Sequence, residues 1–200
     1  MSKPEYVKVD DKIYKINTDF RVALECNEIA KDKTIGELER ALAIIYKLFG
    51  EEGLNCENQN KLMELGMKYI SLGREQKRLK NDSGNKYELD FNKCKDLISS
   101  SFKFDYKYDP YEMEYLHWYT FYNDLENLST SEFGTCCALN RIMSIINNDG
   151  KMITDSKEKQ KFLELKEELI NKYCIVKEKE LTEKQKESQK ELYKSLGIEI

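Results

Sequence analysis

The chain has one histidine, one tryptophan and two prolines among 200 residues, and it carries almost no net charge. Each shortage narrows the reading. With His117 as the single imidazole and no C-x-x-C pair, the nitrogen and thiolate ligands of a structural zinc site are nearly missing. The 33 basic and 37 acidic residues leave a formal net charge of −4, so no overall field gathers nucleic acid. No stretch approaches the roughly 20 apolar residues of a membrane span. The first twenty residues include Lys3, Lys8, Asp10 and Asp11 and lack the apolar core of an export signal. A soluble, cytoplasmic protein is expected, without nucleic acid or membrane as partner. Nucleotide-binding glycine loops, nucleophile elbows and paired metal-binding histidines are also missing. Adjacent acids such as Glu51-Glu52 and Glu167-Glu168 point about 100° apart on a helix, which suits solvent better than shared acid–base work. The expectation is a non-enzyme without cofactor or metal.

The cysteines Cys26, Cys56, Cys94, Cys136, Cys137 and Cys174 are scattered along a chain too long to need stapling, so reduced thiols are expected. With 40% apolar side chains the chain can bury one sizeable core. The fold class expected is mainly α: a compact multi-helix domain over residues 1–176 with a small N-terminal β-hairpin, then a polar C-terminal helical extension over 177–200.

Residues 5–16, YVKVDDKIYKIN, alternate lysines with β-branched and aromatic residues around Asp10-Asp11, which predicts a hairpin leaning on helices. Thr18 is placed to cap a helix carrying Phe20, Ala23, Leu24 and Cys26. Thr34 and Glu37 form a capping-box pattern ahead of Leu38, Leu42, Ile45 and Phe49, with Gly50 at the C-cap. Leu62, Leu65, Tyr69 and Leu72 predict a third helix ending near Asn81, before a mobile NDSGN loop at 81–85. A helix from Asp90 to Phe102 and an extended link FKFDYKYDP follow. Asp109, Pro110 and Glu112 then give strong start signals for a central aromatic helix through Leu125. Ser129 and Glu132 repeat the capping box before Phe133 to Ile146, and a long amphipathic helix from Thr154 carries Phe162, Leu165, Leu169, Tyr173 and Val176.

The block YELDFNKCKDLISSSFKFDYKYDPYEMEYLHWYTFYNDLENLS resembles the Gp-fifteen family of bacteriophage proteins, chiefly through Leu116-His117-Trp118-Tyr119-x-Phe121. The opening INTDFRVALE, with Asp19, Phe20 and Arg21, and the pairing of Arg141 with a lysine-rich helix over 156–173 extend that likeness. Tyr119 stands where a second tryptophan is common in the family, and Cys136-Cys137 is unusual for it. The resemblance implies a non-catalytic protein similar to the tail assembly chaperones of long-tailed phages, with tape-measure and tail-tube proteins as partners in the host cytoplasm. The alternative is a structural component kept in the mature virion. Partner-binding candidates are His117, Trp118, Tyr119, Phe121, Tyr122 and Arg141. The plainer reading of His117-Trp118 is a buried aromatic beside a histidine that satisfies a helix terminus. Asp19 reads most simply as an acid favouring a helix dipole, and Cys136-Cys137 as small apolar filling. The lysine- and glutamate-rich C-terminal helices leave weak homo-oligomerisation open.

Overall fold

The computed structural model describes residues 3–73, 87–129 and 137–176, with the side chains of Glu88 and Val176 left aside. The turn 81–85, the residues Glu132, Phe133 and Cys136, and the expected extension over 177–200 lie outside the described residues. The fold is mainly α, with a small antiparallel N-terminal hairpin of β1 (Tyr6–Val9) and β2 (Lys12–Lys15). Asp10 turns the hairpin at φ 51°, a left-handed position that aspartate tolerates better than most residues. Alternation puts Val9 and Tyr14 on the inner face with Ile16 beyond them, all nearly fully buried. That face meets α2 (Glu37–Leu54) through β2 and α3 (Gln59–Ile70) through β1.

Helix α1 (Phe20–Lys31) is capped by Asp19, one residue after the expected Thr18, because the Asp19 carboxylate takes the Arg21 N–H. Thr34 is drawn instead into a turn with Asp32, so α2 starts at Glu37 and the Glu39 carboxylate takes the Gly36 N–H. Gly50 breaks α2 near its end at φ 66°, ψ −158°, a region open essentially to glycine alone. Asn17 donates to the Leu48 carbonyl just before that break and ties the hairpin's exit to α2. Helix α3 stops at Ile70 rather than near Asn81: Leu72 and Gly73 both turn left-handed, and the Gly73 N–H returns to the Lys68 carbonyl.

Further along come β3 (Tyr87–Leu89), α4 (Lys95–Tyr106), α5 (Trp118–Glu126), α6 (Ala138–Asn147), α7 (Ser156–Tyr173) and β4 (Cys174–Val176). The link expected to be extended is the last turn of α4, which ends where Lys107 turns left-handed. The signals at Asp109-Pro110 produce a single turn. Asp109 accepts the Tyr111 N–H, and its other oxygen is held by the Ser99 hydroxyl and by Lys103 at 2.9 Å. Burial opposes the charge of Asp109, yet these bonds keep its carboxyl below the usual range. Residues 115–117 then straighten, and the helix proper starts at Trp118, eight residues later than its local signals suggest. Helix α6 is capped by Cys137; Ser129 bonds Asp105 and accepts the Cys137 N–H. Helix α7 starts on its Asp155 cap, but the chain leaves it at Cys174 to pair antiparallel with β3, so Val176 belongs to a strand.

Most buried side chains form one continuous core running from Val9 to Leu139. A smaller cluster of Ile146, Ile170 and Cys174 joins it through Ile142 and Met143. The described cysteines Cys26, Cys56, Cys94, Cys137 and Cys174 are free and buried. Burial pushes the thiols of Cys26 and Cys94 up to about 12, which keeps them protonated and unreactive.

Candidate partner-binding site

Two helix starts are built as one unit. Asp19 and His117 have nearly identical extended backbones, at φ −64°, ψ 134° and φ −63°, ψ 135°, and form an isolated antiparallel bridge. The Phe20 N–H donates to Leu116 O at 2.9 Å and the Trp118 N–H to Thr18 O at 2.8 Å. Each bridge residue also caps its own helix, Asp19 accepting from the Arg21 N–H and His117 Nδ1 from the Tyr119 N–H at 3.0 Å. The Arg21 guanidinium grips the Asp19 carboxylate at 2.8 and 2.9 Å and donates to the carbonyls of Met113 and Glu114. The Asp19–Arg21 ion pair therefore locks the 113–117 connection onto α1 within the chain.

Because His117 Nδ1 accepts, its neutral ring carries the proton on Nε2, which is buried and makes no well-formed hydrogen bond among the described residues, the Pro4 carbonyl attracting it only weakly. Burial, helped by the Lys3 charge, lowers the His117 pKa, against opposing pulls from Glu5 and the Pro4 carbonyl.

The motif residues part company at the surface. Trp118 is 2% exposed and its Nε1–H donates to Ile70 O at 3.0 Å, satisfying a terminal carbonyl of α3. Phe121 is fully buried, stacked on Phe20 at 4.3 Å and on Phe102 at 5.5 Å, with Trp118 at 6.0 Å. This ladder joins α1, α4 and α5, so Trp118 and Phe121 follow the plainer reading of core aromatics. Tyr119 and Tyr122 are half-buried. They line a cleft of about 340 Å³ with Lys3, Leu72, Thr120 and Asn123. Tyr119 packs on Tyr69, and Tyr122 stands edge-on to Trp118. Arg141 is exposed on α6, which packs against α4 and α7; among the described residues it makes no hydrogen bond or ion pair with the other five.

A larger groove, about 870 Å³, runs between the hairpin exit, α1 and the break in α2. Buried Ile16, Leu48 and Phe49 lie beneath it, while Tyr46 and Tyr115 are 51% and 52% exposed along it. The Tyr115 hydroxyl hydrogen-bonds Thr18 Oγ1 at 2.6 Å, and Lys47 pairs with Glu25 at 2.6 Å. Sequence reasoning missed both tyrosines. Tyr46 carried a usable signal, since it lies off the Leu38, Leu42, Ile45, Phe49 stripe of its own helix and must face outward. Tyr115 falls inside the segment expected to be helical from Asp109 to Leu125, whereas the helix starts only at Trp118.

Among the described residues no group of three or more His, Cys, Asp or Glu could hold a metal ion, and no helix is long and apolar enough to cross a membrane. Residues 3–170 match a family model described as Bacteriophage Gp15 protein. Comparison with curated proteins and with solved structures gave no match.

Proposed function

The chain belongs to the Bacteriophage Gp15 family, and from that premise we propose that it is a phage protein of tail morphogenesis, a stoichiometric chaperone for tape-measure or tail-tube protein. It binds apolar segments of its client and keeps them from aggregating before assembly; no bond is made or broken. The observation supporting this reading is the pair of half-exposed tyrosines, Tyr46 and Tyr115, brought from separate elements to one groove over buried Ile16, Leu48 and Phe49. Tyrosines are favoured where protein surfaces meet, because they bring large contact area with few rotatable bonds and a polar tip. Tyr119 and Tyr122 form the second aromatic surface, with Trp118 and Phe121 holding it in place from inside.

The test is co-expression with the tape-measure protein, followed by affinity capture and sedimentation. A soluble complex that weakens by about tenfold or more in Tyr46→Ser/Tyr115→Ser supports the reading on the scale of an interface hot spot. A tape-measure protein that stays insoluble, with nothing captured, removes it.

A further inference from the structure

The hairpin has a second face that the core does not use. Cross-strand register places Tyr6 opposite Lys15 and Lys8 opposite Ile13. All four are exposed, Tyr6 by 55% and Ile13 by 63%. A two-stranded ribbon with one face on the core ordinarily shows polar side chains outward. Here half of the outward positions are large and apolar, and the other half are lysines. Lys47, Lys61 and Lys103 are all engaged with acids, whereas Lys8 and Lys15 have no ion pair among the described residues. Lys15 also lines the groove between Tyr46 and Tyr115, so the ribbon face and the groove are continuous.

We propose that the outer face of the hairpin, Tyr6, Lys8, Ile13 and Lys15, is a docking surface for an acidic segment of a partner protein in which carboxylates alternate with apolar side chains. Charge selects this occupant. A second copy of the face carries the same positive charge and so offers the two lysines no counter-charge. A nucleic acid would find two lysines here and acids in excess over the whole chain, too little phosphate neutralisation for useful affinity. An acidic segment instead meets the ammonium groups of Lys8 and Lys15, neither of them in an ion pair among the described residues, and gains apolar contact on Tyr6 and Ile13. The inference rests on the tail-assembly reading only for naming the natural partner; the surface chemistry stands without it.

The experiment uses the full chain, labelled with ¹⁵N, and a short synthetic peptide alternating glutamate and leucine. A lysine–leucine peptide of the same length and a single-stranded oligonucleotide serve as competing probes. The expected result is amide shifts clustered on residues 6–15 with the acidic peptide alone, and binding weakened about tenfold or more in Lys8→Glu/Lys15→Glu. Tyr6→Ser/Ile13→Ser weakens it at unchanged charge. All four positions are exposed, so the variants retain the parent's circular dichroism and melting transition. Shifts elsewhere or none, unchanged binding in the charge-reversed variant, or equal response to either competing probe overturn the proposal. Capture of tape-measure protein is scored separately: retained capture by Lys8→Glu/Lys15→Glu counts against this surface, and failed capture by the parent chain counts against the tail-assembly reading.

Discussion

At the scale of single residues, the motif tryptophan is a structural member. Trp118→Ala removes a nearly fully buried side chain and leaves the Ile70 carbonyl without its indole donor. The expected loss is about 3–5 kcal/mol, read by urea denaturation. Any loss of partner capture by that variant is then a folding effect, which makes Tyr46, Tyr115, Tyr119 and Tyr122 the cleaner probes. His117 gives stability a pH dependence of definite sign. Its pKa in the folded chain is below the ordinary 6.5, so the unfolded chain takes up the proton first. Stability is therefore complete above the unfolded-state 6.5 and falls as the pH drops from there toward the lower folded-state value. His117→Asn keeps a capping acceptor for the Tyr119 N–H and removes the titration. Denaturation midpoints between about pH 8 and 5 should slope in the parent and be flatter in that variant.

At the scale of elements, Gly50 is a position where backbone conformation dictates residue type. No atom lies within 4 Å of a Cβ built there, so crowding does not forbid a side chain; the positive φ does. Gly50→Ala is expected to cost about 1–3 kcal/mol through strain alone, and a melting curve will show it. The same scale decides how far the elements could be read from the sequence. Hairpin, α1, α2 and the body of α7 follow from alternation, 3.6-residue spacing and nearby capping side chains, which are local. The segment 109–117 does not. Asp109, Pro110 and Glu112 carry good helix-start chemistry, but it yields a single turn: hydrogen bonds to Thr18 and Phe20, together with the Arg21 grip on two carbonyls, hold 115–117 extended and delay the helix to Trp118. No window of sequence around Asp109 contains those partners. Strands β3 and β4 escaped for the same reason, since each is three residues long and defined only by the other. The aromatic content of the site was legible in LHWYTF, but which aromatics face water was not, because the phase of α5 depends on where that helix begins.

At the scale of the whole molecule, β3 and β4 act as a clasp between the start of the central part and the end of α7. Asp90 N–H donates to Tyr173 O at 3.0 Å, and the Cys94 thiol to the same carbonyl at 3.2 Å. Ile175→Pro removes a backbone N–H from that pairing. Hydrogen exchange should then quicken at Tyr87–Leu89 and along α7, while the amides of α1 and α2 keep their protection. The bridge between Asp19 and His117 orders events in time as well as in space. Arg21 and Glu114 are 93 residues apart in sequence, and closing so long a loop is an entropic cost met only after local turns have formed. Neither α1 nor α5 has its cross-bridge until the other arrives. On the ribosome, the first of these helices therefore has its local Asp19 cap but must wait for its cross-bridge until the chain around His117 has been made. Substitutions at Asp19 or Arg21 should speed unfolding while leaving the refolding rate nearly unchanged, as expected of contacts that lock only after the rate-limiting step.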